Sequence, residues 1–193
     1  MVLSNVEIVK ALKNRAFEIQ GLETFEPSER PYNTNAVDLR LGSEIIVPHA
    51  ERPVTLDLRK PNIAQFWSEN SKKFVISKEQ PYVLVPNKFV LANTFEKVNF
   101  PLSDGQCYGA RVEGKSSLAR CGILVHFTAP TNHAGFYGPI TLEMINLGPV
   151  EFLLFPSMYI CQLIVEEVKG CPLDAPNQFK GQTNVAGEVR SKK

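Results

Sequence analysis

Hydrophobic and polar residues alternate over short stretches along most of this chain, and proline, glycine, asparagine and aspartate separate the stretches. Alternation with a period of two is typical of strands that bury one face, and the separating residues are those that form turns. The pattern predicts a series of short strands at 36–41, 44–47, 73–76, 82–84, 88–94, 106–111, 124–127, 140–146, 150–155 and 159–168. We therefore expect a mainly β fold, a jelly roll or β-barrel in which closure of the sheet removes exposed edges.

One short helix is predicted near the N-terminus. Ser4 followed by Glu7 three residues later is a capping-box pattern. Helical spacing places these apolar residues on one face: Ile8, Val9 and Leu12. The helix should end before Gly21, where the strand pattern begins.

Two segments depart from the strand pattern. Residues 51–69 are irregular and include Trp67, the only tryptophan, so we expect a loop or a short helix lying over the barrel. Residues 178–193 are polar and end in charges, which predicts a mobile C-terminal tail. The length suits one domain, covering 1–193.

Composition excludes several classes of partner. The chain is 44% hydrophobic and 21% charged with a net charge of +1, so no overall basic field favours nucleic acid or a membrane surface. No apolar run has the length of a membrane span. The first residues lack the pattern of a signal peptide, so we expect a cytoplasmic protein.

The cysteine pattern gives no metal-site signal. The chain has four cysteines, without a C-x-x-C pair and without histidine at ligand spacing: Cys107, Cys121, Cys161 and Cys171. We interpret them as reduced, mainly structural thiols and expect no protein-bound metal. The zinc signature of the metal-dependent nucleobase deaminases pairs H-x-E with P-C-x-x-C, and the sequence has no P-C-x-x-C, so we expect no zinc.

Glu143 is a carboxylate within an apolar strand. Alternation over 140–146 places Leu142 and Met144 on one face and Glu143 on the other. Two interpretations stay open from this pattern. Glu143 is either a solvated residue on an outer face or a part-buried carboxylate whose raised pKa suits a general base or acid.

A cluster of positive and hydroxyl side chains precedes this strand. Gly114 is followed by Lys115, Ser116 and Ser117, with Arg120 after a short apolar pair. Hydroxyl, ammonium and guanidinium groups can bind phosphate oxygens or hold a water molecule. An exposed polar turn is the alternative.

Two histidines lie between the cluster and the strand of Glu143. His126 stands between apolar residues, where either a hydrogen-bonded core histidine or a site residue would fit. His133 lies in a turn ahead of Gly135, where an exposed turn residue is the simpler interpretation.

Several motifs together resemble the dCTP deaminases, the metal-free branch of the trimeric dUTPase-like family. They cover nearly the whole chain in order: A-V-D-L-R-L-G at 36–42, F-V-L-A-N-T at 89–94, G-K-S-S-L-A-R at 114–120, V-H-F-T-A at 125–129, G-F-Y-G at 135–138, T-L-E at 141–143 and F-K-G-Q at 179–182. The resemblance implies a distorted jelly roll with a short N-terminal helix, assembled as a homotrimer with active sites between subunits.

The resemblance also implies roles in hydrolytic deamination of dCTP to dUTP. Glu143 matches the general base, and Ser116 and Arg120 match the residues that position the attacking water. The candidate substrate-binding residues are Lys115, Ser117, Thr128, Ala129, His126, His133, Phe179 and Gln182. Mg²⁺ is expected to enter bound to the triphosphate, and dTTP is expected as an inhibitor.

Two departures from the family pattern keep alternatives open. His133 stands where most members carry an aspartate that lies against the deoxyribose, and Gln178 stands where a phosphate-binding lysine is usual. The first alternative is a dUTPase or a bifunctional dCTP deaminase and dUTP diphosphatase, which the missing acid at position 133 disfavours. The second is a non-catalytic regulator that binds pyrimidine nucleotides.

Overall fold

A computed structural model describes residues 1–49, 55–57, 59, 63–175, 181 and 185. The helices in this part of the chain are α1 (Asn5–Lys13), α2 (Ile63–Glu69) and α3 (Ser116–Ala119). The strands are β1 (Glu18–Gln20), β2 (Tyr32–Asn33), β3 (Ala36–Pro48), β4 (Ser71–Val75), β5 (Tyr82–Leu84), β6 (Phe89–Asn99), β7 (Cys107–Gly114), β8 (Ile123–Leu124), β9 (Thr131–Asn132), β10 (Tyr137–Asn146), β11 (Phe152–Leu154) and β12 (Tyr159–Val168).

A large antiparallel sheet organises the chain. Its strands follow the order β8-β10-β6-β3-β12-β7-β9, with β1, β2 and β4 attached at the side, and β5 pairs separately with β11. The sheet curls into a half-barrel. The mainly β fold class predicted from the sequence is confirmed.

The hydrophobic core covers one face of this sheet. Strand alternation sends every second side chain inward, and the largest fully buried side chains come from helix, strands and loops alike: Ile8, Phe17, Leu39, Leu41, Ile45, Leu84, Phe100, Leu142, Met144, Leu154, Ile160 and Leu163. Burial of this apolar surface is the main favourable term in folding, at about 25 cal/mol per Å².

The N-terminal helix forms as its residue pattern predicts. The Ser4 hydroxyl accepts the Glu7 backbone N–H at 3.3 Å, which satisfies one of the free donors at the start of α1. The residues predicted for the apolar face are buried in the core: Ile8, Val9 and Leu12. The helix ends at Lys13.

β3 is one continuous strand where the sequence predicted two. The pairing of β3 with β6 shifts register between Leu41 and Ile45. A Cβ at Gly42 would lie 2.4 Å from the Asn93 side-chain oxygen, so only glycine allows this close approach. The irregularity that resembled a break in the sequence is therefore a bulge within a single strand.

The prediction of a strand over 124–127 is wrong for most of its length. β8 contains only Ile123 and Leu124, and the chain from 125 to 130 is irregular. Strands β1, β2 and β9, which are two or three residues long, were not predicted.

The insertion contains a short helix, which is one of the two structures predicted for residues 51–69. Trp67 of α2 packs with Phe89 against Ile46 and Leu91, on the face of the sheet opposite the main core. Residues 50–54, 58 and 60–62 lie outside the described part of the chain. No helix among the described residues has the length and apolar character to cross a bilayer.

Candidate active site

Glu143 lies on the face of β10 opposite the main core. Its neighbours in β10, Leu142 and Met144, are fully buried in the main core, whereas Glu143 is half-buried on the other side. Its cross-strand partner is Leu91 of β6, so both side chains share this face. Leu91 belongs to the apolar cluster with Trp67, so the carboxylate shares its face of the sheet with apolar side chains.

Burial raises the pKa of the Glu143 carboxyl above its ordinary value. Hydrogen bonds from the backbone N–H groups of Glu143 and Phe127 and the attraction of His126 lower this pKa, without cancelling the effect of burial. The structure thus places a partly desolvated carboxylate with a raised pKa at the position that the resemblance assigns to the general base. The catalytic role of Glu143 itself stays a prediction.

His126 brings a second titratable group to this point. Its Nε2 atom lies 3.7 Å from Oε2 of Glu113, and its buried Nδ1 atom has no hydrogen-bond partner among the described residues. The adjoining Phe127 ring packs edge-on against Phe89, with centroids 5.7 Å apart. The irregular segment after β8 is therefore anchored beside Glu143.

The positive and hydroxyl cluster forms a separate part of the candidate site. β7 ends at Gly114 and leads directly into α3, so the side chains of Ser116, Ser117 and Arg120 are presented to solvent. Within the described residues, no hydrogen bond or ion pair links Glu143 with Ser116 or Arg120. Within one chain, Glu143 and the pair Ser116 and Arg120 are therefore present as two separate parts of the predicted site.

Backbone contact connects α3 with the end of β10. Gly122 follows α3 at a positive φ of +92°, and a Cβ there would lie 2.3 Å from the Gly148 nitrogen. The Leu147 N–H donates to the Gly122 carbonyl at 2.7 Å. Glycine permits this approach, which sets the position of Arg120 relative to the strand of Glu143.

Lys115 differs from its neighbours in the cluster because it is not a free cation. Its ammonium pairs with Asp38 of β3, and the two side chains are 17% and 5% exposed. Asp38 was not among the residues selected from the sequence, although an acid within the apolar strand A-V-D-L-R-L-G signals a buried pair.

The remaining candidate residues are exposed or lie outside the described residues. Thr128 and Ala129 are exposed in the segment after His126, and His133 is exposed in its turn. Phe179 and Gln182, together with Gln178 and most of the tail 178–193, lie outside the described residues.

Two described tail residues lie against β10. The Gly181 N–H donates to the Tyr137 carbonyl at 3.1 Å, and the Val185 carbonyl accepts the Thr141 hydroxyl at 3.1 Å. Among the described residues, no group of three or more His, Cys, Asp or Glu side chains is arranged to hold a metal ion.

Comparisons with known proteins identify relatives over most of the chain. "dCTP deaminase, dUMP-forming" from Dictyoglomus turgidum is 36% identical over 163 residues, which cover 84% of this chain and 78% of the relative. "dCTP deaminase" from Haloarcula marismortui is 35% identical over 190 residues, covering 95% and 91% of the two chains.

Structural comparison supports the fold. The crystal structure of 2'-deoxycytidine 5'-triphosphate deaminase from Agrobacterium tumefaciens matches with a TM-score of 0.63 at 16% identity. The match covers 86% of this chain and 47% of that one, so this chain spans less than half of the solved chain. A profile of dCTP deaminase-like proteins matches residues 2–168. The resemblance seen in the sequence motifs is therefore confirmed, and the chain belongs to the dCTP deaminase-like family.

Proposed function

We propose that this protein catalyses the hydrolytic deamination of dCTP to dUTP and ammonia. Membership of the dCTP deaminase-like family supports the substrate and the reaction. The observation that carries the proposal is the half-buried Glu143, whose pKa is raised by burial on a face of the sheet that an apolar cluster covers. A carboxylate in this environment suits the task of removing a proton from water.

In the proposed reaction, Glu143 accepts a proton from a water molecule as its oxygen attacks C4 of the cytosine ring. The tetrahedral centre then forms at C4, and Glu143 returns the proton to the amino group. The C–N bond breaks, ammonia leaves with the bonding electron pair, and the remaining hydroxyl proton moves to N3 as the C4 carbonyl of uracil forms. Glu143 ends the cycle ionised, and no oxidant or reductant is needed.

We assign the positioning of this water to Ser116 and Arg120. Donors that are already oriented stabilise the charge that develops during attack better than solvent does. Because these side chains are exposed and do not contact Glu143 within the described chain, the proposal places α3 of one subunit against the β10 face of another. A homotrimer with sites between subunits is the assembly that we propose.

The remaining assignments concern substrate binding. Backbone groups at Thr128 and Ala129 would bind the pyrimidine edge, and Ser117 with Gln182 would contact the triphosphate, to which Mg²⁺ is bound. Phe179 would close over the ligand with the tail. His126 lies beside Glu143 on the same side of the site.

Formation of dUMP is the second candidate function. It is favoured by the name "dCTP deaminase, dUMP-forming" of relatives such as those from Dictyoglomus turgidum and Methanothermobacter thermautotrophicus. His133 disfavours it, because an exposed histidine replaces the acid that would activate water for attack on the α-phosphate.

Chromatographic product analysis distinguishes these functions. Purified protein is incubated with dCTP and Mg²⁺, and in parallel with CTP, dCMP and dUTP. We expect dUTP and ammonia from dCTP, whereas dUMP and pyrophosphate would establish the second function. Glu151→Gln, which changes an exposed glutamate, is the matched control for variants of Glu143. Nucleotide binding without any product would contradict both enzymatic proposals.

A further inference from the structure

Asp38 is a buried carboxylate that receives donors from three different segments. Its Oδ1 atom accepts hydrogen bonds from Asn33 Nδ2 at 2.9 Å and from Gln162 Nε2 at 3.2 Å. Its Oδ2 atom accepts the Lys115 ammonium, and its backbone N–H donates to the Pro31 carbonyl at 2.9 Å. Because its carboxylate accepts hydrogen bonds from three segments, Asp38 is held in a fixed position in the sheet.

Sheet register explains why these residues meet. β12 lies between β3 and β7, and Gln162 is the cross-strand partner of Asp38 on one side and of Glu113 on the other. Lys115 follows the end of β7 in extended conformation, two residues after Glu113, so it lies on the same face as Glu113, Gln162 and Asp38. The ammonium reaches Asp38 across the intervening strand.

Lys115 is also the residue at which α3 begins. Its carbonyl accepts the Leu118 N–H at 3.0 Å and the Ala119 N–H at 2.9 Å, which makes it the N-cap of this helix. Its ammonium has no acceptor for a capping hydrogen bond and is directed to Asp38. The ion pair therefore acts on the same residue that sets the start and direction of α3.

We propose that Asp38 is a positioning residue of the deaminase, which holds the Lys115 ammonium and thereby fixes the turn from β7 into the segment that carries Ser116 and Arg120. This inference rests on the proposed function. In this arrangement Lys115 pairs with Asp38 and orients the catalytic segment.

A double-mutant cycle of Asp38→Asn and Lys115→Met tests the proposal through kcat and KM for dCTP. Each single variant should lower kcat by about tenfold or more, and the double variant should lose no more than either one, because both remove the same connection. KM should stay within about threefold of the wild-type value, because neither change removes a contact that binds the substrate in its ground state. Glu166→Gln is the matched control, because it removes a partly exposed ion pair with Arg111 that joins β12 to β7 and should change kcat by less than about twofold.

The opposite pattern would overturn the inference. If Lys115 binds phosphate directly, Lys115→Met raises KM with kcat nearly unchanged while Asp38→Asn leaves both constants unaltered. Additive losses in kcat would equally show that the residues act independently. A wild-type protein inactive on dCTP overturns the proposed function together with this inference, whereas an active wild type with a silent Asp38→Asn overturns the inference alone.

Thermal unfolding of each variant separates loss of positioning from loss of fold. If Asp38→Asn does not fold, the double variant carries the test, because it leaves no buried charge at this position. A loss of kcat in the folded double variant, with KM unchanged, supports positioning by the pair. A rise in KM alone contradicts it.

Discussion

Glu96 and Glu143 lie in the paired strands β6 and β10, yet they are compensated in different ways. Glu96 is 1% exposed on the inner side of the sheet, and Arg40 donates to it through its backbone N–H at 2.8 Å and through Nε at 2.7 Å. Glu143 is half-buried on the outer side, where its neighbours are the backbone N–H of Phe127 and the imidazole of His126.

The comparison shows that burial alone does not make a carboxylate reactive. Arg40 donates to both Glu96 oxygens, to one through its guanidinium and to the other through its backbone N–H, so Glu96 holds β3 against β6. Without such a cation, desolvation dominates at Glu143 and raises its pKa. The first glutamate is suited to structure and the second to proton transfer.

The largest expected effect is the loss of catalytic rate in the variant Glu143→Gln. This change keeps the shape of the side chain and removes the base, so we expect kcat for dCTP to fall by about a thousandfold with KM within about threefold. Steady-state kinetics beside Glu151→Gln measures this difference. A variant that keeps more than about a third of the wild-type kcat would show that another residue is the base.

Glu96→Gln should mainly lower stability. Removing this partner of Arg40, whose side chain is 12% exposed, is expected to reduce the free energy of unfolding by about 3 kcal/mol or more, as measured by denaturant titration at pH 7. Glu23→Gln removes the other carboxylate that pairs with Arg40. Because the Glu23 side chain is 70% exposed, this change should lower the free energy of unfolding by less than about 1 kcal/mol. Equal losses from the two variants would contradict the structural role of Glu96.

The smallest effect concerns the pH dependence of stability. The raised pKa of Glu143 means that the folded chain keeps this proton at pH values where the unfolded chain has lost it. Its contribution to stability therefore falls as pH rises from the unfolded pKa, about 4.3, through the folded pKa. Glu143→Gln should be more stable than the wild type at pH 7, with the difference vanishing below about pH 4. Denaturant titrations at both pH values check this, and a variant less stable at pH 7 would contradict the sign.

Local patterns predicted a large part of the fold. The helix start at Ser4, the strands over 82–84 and 159–168, and the inward and outward faces around Glu143 match the structure. These features depend on neighbours within a few residues, which a sequence displays directly. The segment after Leu124 was predicted wrongly because apolar residues there pack and donate backbone hydrogen bonds without forming a strand.

The sequence by itself determined the β class, the family resemblance and the candidate base, because periodicity and motif order are properties of the linear chain. Only the tertiary structure decided that Lys115 pairs with Asp38, 77 residues away, and that Arg40 neutralises Glu96, 56 residues away. Both pairings depend on which strands lie side by side in the sheet. Strand order is set by the packing of the whole core, so the partner of a buried charge cannot be read from its neighbours in sequence.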